Sequence, residues 1–267
     1  MKDTSSQWFI PILLAAGAGL ALWYYWIRVS EPDATPPPPA PPVAEAPAEV
    51  PRPLHPVETP PVEAEPPPNL VPLPPLNESD EYFKLELVGL FGASIEDILA
   101  DSRMIERVVA TIDNLPRSHV AERIRPVGRL DDAFAVDGQD GSGEFTISTD
   151  NYRRYDGLVD MVTATDLQAV TDVYRRFYPL FQKAYVELGY PDGYFNDRLV
   201  EVIDHLLETP SVGDPIALVR PHVLYEYRDP NLEALSSGQK LLLRMGDDHA
   251  DRIKGTLREL RARVTAM

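Results

Sequence analysis

The hydrophobic pattern divides the chain into three regions. Residues 8–27 form an apolar run without a charged side chain, and about 20 such residues span the hydrocarbon layer of a bilayer as a helix. Residues 28–75 carry no apolar period and are rich in proline. Apolar side chains return at helical spacing after that. The pattern predicts a short tail (1–7), a transmembrane helix, a linker and a folded domain (76–267).

Aromatic residues mark both ends of the apolar run, at Trp8–Phe9 and at Trp23–Trp26. Such rings favour the headgroup level of a membrane. A cleaved signal peptide would end in small residues, but the small residues Ala15–Gly19 lie in the middle of the run. We therefore expect an uncleaved signal anchor. Lys2 and the terminal amine slightly outweigh Arg28, which favours a domain outside the cytoplasm.

The linker consists mainly of proline, alanine, valine and glutamate, and nineteen of the 28 prolines lie between residues 32 and 75. Such a composition cannot bury enough apolar surface to fold, so it predicts a disordered spacer of polyproline II character. The alternative is a ligand for SH3-like or WW-like grooves, which bind Pro-x-x-Pro segments. We interpret the region as a spacer.

Helical periodicity dominates the folded domain, and short alternating runs indicate a few strands. We predict a mainly α (α+β) fold with a small antiparallel sheet, since about 190 residues suffice for one core. Strands are predicted at Ala133–Val136, Glu144–Ile147 and Val223–Tyr227. Helices are predicted at Tyr82–Phe91 after cap residues at 77–80, from Ser94, from a cap at Ser102 to Ile112, and at Tyr152–Val162, Asp166–Leu188, Tyr194–Leu207, Leu235–Met245 and Asp248–Val264.

The composition narrows the function classes. The formal net charge is −17, and an acidic surface repels phosphates, which argues against nucleic acid as a partner. The chain has no cysteine, so disulfides, thiolate nucleophiles and cysteine-ligated zinc are excluded. No motif calls for a cofactor or a metal, and we expect none.

Four runs in the folded domain form a recognisable set. They are Asp113–Arg117, Asn151–Tyr155, Phe177–Gln182 with Leu188–Pro191, and Leu235–Gly246. With the anchor and the linker, these runs make the chain resemble the bacterial family called domain of unknown function 3014. The resemblance extends from about Pro74 to the C-terminus and implies a membrane-tethered bacterial domain without an assigned activity or site.

Ser237 and Lys240 have the Ser-x-x-Lys spacing in which a lysine activates a serine nucleophile. The companion motifs of such enzymes do not follow in the required order. We therefore interpret Ser237 as a helix cap and Lys240 as a solvated residue.

Acidic residues accompany a histidine on two predicted helices. Glu201 and Glu208 lie one turn either side of Asp204–His205 and could form an acid–base or metal patch. The run Asp247–Asp251 could bind a cation through oxygen ligands. A charged solvent face explains the first group, and acids at a helix start explain the second, so we assign neither group a catalytic or metal role.

Aromatic residues concentrate between residues 177 and 195, beside two arginines. Most follow the apolar period of one helix, which favours core packing. The alternative is a partner-binding surface, because tyrosine and arginine are enriched at binding hot spots. Its candidate residues are Arg175, Arg176, Tyr178, Tyr190 and Tyr194.

Pro179 lies inside the longest predicted helix, where a kink is expected. Phe177 and Phe181 are spaced to face one core across that bend, whereas Tyr178 falls off the apolar period. We expect the two phenylalanines to be core residues and Tyr178 to contribute little to stability.

The layout leads to one functional hypothesis. We expect a single-pass protein of the bacterial inner membrane whose periplasmic domain is a non-catalytic interaction or scaffold module. Its partners would be the bilayer and an envelope protein or cell-wall component. The alternative is an envelope hydrolase that uses Ser237 with Lys240, or Glu201 with His205.

Overall fold

The structure is a computed structural model that describes residues 52–58, 72–129, 133–138 and 143–267. The predicted tail and transmembrane helix (1–27) lie outside these residues, as does the linker apart from 52–58 and 72–75. Among the described helices, none is both long and apolar enough to cross a bilayer.

Helices make up most of the described chain, so the mainly helical class is confirmed. Three short 3₁₀ segments lie at Leu76–Glu78, Ala93–Ile98 and Glu122–Ile124. The nine α-helices of the described residues are α1 (Asp80–Phe91), α2 (Met104–Asn114), α3 (Thr149–Arg153), α4 (Asp156–Ala164), α5 (Leu167–Glu187), α6 (Phe195–Leu207), α7 (Pro230–Glu233), α8 (Ser237–Met245) and α9 (Asp247–Val264).

Four short strands form one antiparallel sheet in chain order: β1 (Val136–Gly138), β2 (Phe145–Ile147), β3 (Ala217–Val219) and β4 (Glu226–Tyr227). The predicted hairpin is present as β1 and β2, but β1 shares only Val136 with the predicted strand Ala133–Val136, because Asp137 and Gly138 belong to the strand and not to the turn. The third predicted strand, Val223–Tyr227, is only partly right, because the strand found there, β4, is limited to Glu226–Tyr227. Its partner β3 ends at Val219, which pairs with Glu226. Val223 and Leu224 therefore lie exposed in the connection, where no strand is left to pair with them.

The start of α2 is set by a side chain from another helix. Both carboxylate oxygens of Asp80, at the start of α1, accept hydrogen bonds at 2.7 Å from the backbone N–H groups of Arg103 and Met104. Arg103 takes a left-handed conformation with φ of 57°. The predicted Ser102 cap is wrong, because the helix receives its cap from a residue distant in sequence.

The predicted helix over Tyr152–Val162 is two helices, α3 and α4. Asn151 is fully buried beside this break. Its Oδ1 accepts a hydrogen bond from Arg154 at 2.8 Å, and its Nδ2 donates to the carbonyl of Arg244 at 2.8 Å. These bonds tie the break between the two helices to the end of α8.

The largest apolar cluster surrounds α5, which continues without interruption across the exposed Pro179. Phe177 and Phe181 are buried as predicted. The ring of Phe177 lies 5.2 Å from that of Phe83 on α1, and the ring of Phe181 stacks on Phe195 of α6 at 5.6 Å. The helix therefore packs aromatic rings against both α1 and α6.

The predicted position of Tyr178 off the packed face is wrong, because this residue is also buried in the aromatic cluster. The hydroxyl of Tyr178 donates to Oε1 of Gln182 at 3.3 Å. Burial raises the pKa of Tyr178 to about 12. The segment that leads into α6 covers this side of α5, and no local period can show such a second packed face.

Two smaller clusters complete the interior. One joins α4, α6, α8 and α9 around Val159, Val202 and Leu242. The other lies beneath the sheet and contains Phe145 and Leu218. The helices and the sheet are therefore held together by these apolar clusters.

Candidate functional site

A buried carboxylate lies at the centre of a polar cluster. Asp113 lies in the last turn of α2 and its side chain is 3% exposed. A buried charge must be paired and hydrogen-bonded. Arg198 Nε donates to it at 3.0 Å, Arg117 Nη2 at 2.9 Å and the Tyr190 hydroxyl at 3.2 Å. Three separate segments therefore meet at one side chain.

Arg198, in the first turn of α6, links this carboxylate to a second acid. Its Nη2 donates to the backbone carbonyl of Asp113 at 2.8 Å, and its Nη1 pairs with Glu201 at 2.8 Å. Burial alone would lower the pKa of Arg198. The hydrogen bond and charge of Glu201, with the charge of Asp113, outweigh it and raise that pKa. We call Asp113, Arg117, Tyr190, Arg198 and Glu201 the Asp113 cluster.

The ring of Tyr190 is held from below. It stacks on the buried Tyr185 with centroids 4.6 Å apart and an interplanar angle of 17°. A Cβ on Gly193 would lie 2.9 Å from Tyr185 Cε1 and 3.2 Å from Tyr190 Cβ. The absence of a side chain at Gly193 therefore lets the loop close over the stacked rings.

The N-terminus of α8 fixes the other side of the cluster. The backbone N–H of Ser237 donates to the carbonyl of Arg117 at 2.7 Å, and that of Gly238 donates to the carbonyl of Leu115 at 3.0 Å. A Cβ on Gly238 would lie 2.6 Å from Leu206 Cδ2 and 3.2 Å from the carbonyl oxygen of Leu115, so glycine favours this close approach. Three of the four recognised runs thus meet around Asp113.

The cluster suits binding better than catalysis. Asp113 accepts hydrogen bonds from two arginines and a tyrosine, and its side chain is 3% exposed, so a substrate proton has little access to it. Two acids and two arginines leave the cluster formally neutral. Arg117, whose side chain is 56% exposed, and the half-buried Tyr190 are presented to solvent in fixed positions. Rigid tyrosine and arginine side chains of this kind are typical anchors of protein interfaces.

The structure separates the five predicted surface residues. Tyr190 belongs to the Asp113 cluster, but Arg175 pairs with Asp172 at 3.1 Å and Arg176 with Glu86 at 2.5 Å. Tyr178 is buried, and Tyr194 is half-buried just before α6. A single surface made of all five remains a prediction. Asp113, Arg117 and Arg198 were missed, although the Asp113–Arg117 spacing of four residues is a usable signal.

The Ser-x-x-Lys pair does not form a catalytic unit. Ser237 Oγ donates to the carbonyl of Leu115 at 3.3 Å. Lys240 pairs with Glu233 and its side chain is only 13% exposed, so the solvated interpretation is wrong. The helix cap is Ser236, which forms a capping box with Gln239. Glu233 lies at the end of α7, which follows β4, and this arrangement places it beside Lys240. A local sequence pattern does not show that proximity.

The sequence analysis did not predict a contact that the structure shows between a serine and a histidine. His205 Nε2 lies 2.9 Å from Ser236 Oγ, and Ser236 is buried. The same oxygen accepts the N–H of Gln239 at 3.2 Å. The next two N–H groups, of Ser237 and Gly238, are already bonded to carbonyls, so neither is free to stabilise an oxyanion. The contact stabilises a helix start.

The acidic run at the start of α9 is tied to neighbouring segments. Asp247 accepts from the N–H of Val212 at 3.4 Å, and His249 Nε2 lies 3.1 Å from Asp156. Across the part of the chain that the structure describes, no three metal-ligating side chains come together. A cleft of about 560 Å³ is lined by Arg107, Arg125 and the Arg129–Glu122 pair, among others.

The fold and the cluster define a mainly helical domain with a small antiparallel sheet and a buried, ion-paired carboxylate. Residues 104–261 match the family described as Protein of unknown function (DUF3014). This match covers more than half of the chain, which belongs to that family, and it confirms the resemblance. No curated protein and no solved structure matches the chain.

Proposed function

We propose that this chain is a single-pass, membrane-anchored envelope protein whose folded domain is a non-catalytic interaction module. The apolar run at 8–27 and the proline-rich linker support the anchor and the spacer. The domain contributes a surface rather than a reaction, because its serine, lysine and histidine candidates are engaged in capping bonds and ion pairs.

The Asp113 cluster carries this proposal. Its buried carboxylate fixes Tyr190 and Arg117 without help from a ligand, which lowers the entropic cost of binding. Val186 and Leu188, at the end of α5, are exposed apolar residues that precede Tyr190 in the chain. The planar guanidinium of Arg117 suits a carboxylate. The proposed partner is therefore an envelope component that offers carboxylates beside an apolar patch.

A photo-crosslinking experiment tests the interface. The full chain would carry a photoreactive phenylalanine analogue at Tyr190 and, as a matched control, at the exposed Val223. Irradiation of intact cells should give a discrete adduct from position 190 that disappears with Arg117→Ala and is absent from position 223. Equal adducts from both positions would contradict the proposal.

The location is tested independently by fusion reporters. A C-terminal alkaline phosphatase fusion should be active, and a green fluorescent protein fusion exported by the same route should be dark, because the domain is proposed to be periplasmic. The reverse pattern would place the domain in the cytoplasm.

The envelope hydrolase stays as the second candidate because of the His205–Ser236 contact. An activity screen of the full chain would include His205→Ala, Ser236→Ala and Ser237→Ala. Hydrolysis that is lost in a variant that still folds would replace the interaction module by an enzyme.

A further inference from the structure

A short piece of the linker lies on the folded domain. The backbone N–H groups of Leu54 and His55 donate to the two carboxylate oxygens of Asp197, at 2.9 and 2.7 Å. Asn196 Nδ2 donates to the carbonyl of His55 at 2.9 Å. Two neighbouring residues at the start of α6 therefore bind the main chain of two neighbouring linker residues. We call them the Asn196–Asp197 clamp.

Hydrogen bonds within the folded domain fix the orientation of the Asn196 side chain in the clamp. Asn196 is fully buried, and its Oδ1 accepts from the Tyr174 hydroxyl at 3.0 Å. Its Nδ2 also donates to the carbonyl of Val264, at the end of α9, at 2.9 Å. Burial, with the nearby Tyr178 and Asp197, raises the pKa of Tyr174 well above its usual range, so its hydroxyl remains a donor. Oδ1 is therefore turned toward Tyr174 and Nδ2 toward the linker.

The clamp binds the main chain rather than the Leu54 side chain, which is 80% exposed. Val57 packs against the aromatic cluster around α5. Pro53 and Pro56 flank the two bound residues and restrict the backbone before binding, which lowers the entropy lost on docking. Selectivity can then come from the position of two free N–H groups between two prolines.

The linker contains one segment that meets this requirement. Pro53–Pro56 is the single Pro-x-x-Pro between residues 32 and 75 in which both inner residues carry an N–H group. In every other case at least one inner residue is a proline. Those cases are 36–39, 38–41, 39–42 and 72–75.

We propose that the Asn196–Asp197 clamp is a binding site for an extended Pro-x-x-Pro peptide with two free inner amides, and that residues 53–56 of the same chain are its ligand. Docking would cut the extended reach of the spacer from about 140 Å for residues 32–75 to about 60 Å for residues 32–51. That consequence, unlike the clamp, rests on the proposed membrane anchor.

Cysteine labelling tests the docked state, because the chain has no cysteine of its own. In the full chain, a maleimide should modify the Val57→Cys variant about tenfold more slowly than the Leu54→Cys variant, since only position 57 is packed. Adding Asp197→Ala should bring the two rates within about twofold. Adding Asp192→Ala, which changes an exposed acid in the preceding loop, should leave them apart. Equal labelling rates for the Val57→Cys and Leu54→Cys variants, or no effect of Asp197→Ala on the difference, would overturn the proposal.

A second pair of variants changes the ligand and leaves the domain intact. Leu54→Pro removes one bound N–H group, whereas Arg52→Pro adds a proline where no hydrogen bond of the clamp is made. Leu54→Pro should therefore speed the labelling of the Val57→Cys variant, and Arg52→Pro should not. The same acceleration by both would show that the clamp does not recognise these amides.

A peptide tests the site in trans. The Leu54→Pro chain, whose own segment is weakened, should bind a fluorescent peptide of residues 49–60 in a saturable manner. Adding Asp197→Ala should weaken that binding about tenfold, the factor expected for about 1.4 kcal/mol. A control peptide with proline in place of Leu54 should bind as weakly. The absence of saturable binding, or equal binding of both peptides, would refute a peptide site.

Discussion

The first turn of α6 serves two sites of different chemistry. Asn196 and Asp197 bind the linker segment, whereas the next residue, Arg198, binds Asp113. Successive residues of an α-helix project about 100° apart, so neighbours in the chain reach different faces. One well-packed turn therefore fixes both the clamp and the Asp113 cluster.

The two sites differ in how their polar groups are satisfied. The Asp113 cluster is built from side chains that bond mainly to one another, and its buried charge is already neutralised. The clamp uses a neutral amide and a half-buried carboxylate whose bonds to the linker are made with backbone groups. The first arrangement positions exposed side chains, and the second can hold or release a peptide. Substitutions should therefore affect stability at the first and docking at the second.

Phe181→Ala should have the largest effect and damage both sites. Phe181 stacks on Phe195, the residue before Asn196, so its loss removes the support of the shared turn. We expect a loss of about 3–5 kcal/mol in the free energy of unfolding, measured by chemical denaturation of the full chain. Tyr178→Phe is the control, because it loses a hydroxyl bond of 3.3 Å and should cost less than about 1.5 kcal/mol. A Phe181→Ala chain as stable as the parent would show that Phe181 does not support the turn that the two sites share.

Asp113→Asn should come next. It leaves Arg198, whose side chain is 17% exposed, without its buried counter-charge. We expect a loss of about 2–4 kcal/mol, slightly below the usual value for a broken buried pair because Arg117 is open to solvent. Asp150→Asn, which breaks an exposed pair with Arg153 at 2.7 Å, should change the urea midpoint little. Equal midpoint shifts would show that the Asp113 cluster is no more than a surface network.

Asp197→Ala should separate docking from folding. It removes two bonds to the linker, yet the domain should lose no more than about 1–2 kcal/mol, the range for one or two ordinary hydrogen bonds. Thermal unfolding followed by circular dichroism measures this loss beside Asp113→Asn. A larger loss than that of Asp113→Asn would make the clamp a structural element of the domain.

Asp204→Asn should have the smallest effect and a dependence on pH. The hydrogen bond from Arg261 lowers the pKa of Asp204 below its ordinary value of 3.8, despite the opposing effect of burial. A carboxylate whose pKa is lowered in the folded state stabilises the fold at pH values above its ordinary pKa. This stabilisation is lost as the pH falls through the lowered, folded-state pKa. The parent should therefore be slightly more stable than Asp204→Asn at neutral pH, and the two stabilities should converge in acid. A difference that persists at the lowest pH would exclude this ion pair as its cause.

Local patterns predicted the helices well and their connections less well. The apolar periods of α1, α5, α6 and α9 depend on residues three and four apart, so they are visible in the chain. The cap of α2 comes from Asp80, 24 residues before Met104. The strand β3 was missed because three residues carry too little alternation to stand out.

The same reason explains how much of the sites was visible. Asp113 and Arg117 lie four residues apart, but Tyr190 and Arg198 reach Asp113 from 77 and 85 residues away. His55 meets Asp197 across 142 residues. Such meetings depend on how the helices pack, and no spacing in the chain encodes them.

The sequence by itself determined the mainly helical class, most helix positions and the family, whereas the anchor and the linker stay predictions. These follow from composition and from short-range periodicity, which each segment carries alone. Only the tertiary structure decided that Tyr190 and Arg198 meet at Asp113, that Ser236 rather than Ser237 caps α8, and that residues 53–56 lie against α6. Burial is the physical reason, because a buried polar group must find its partners among the residues that packing brings to it.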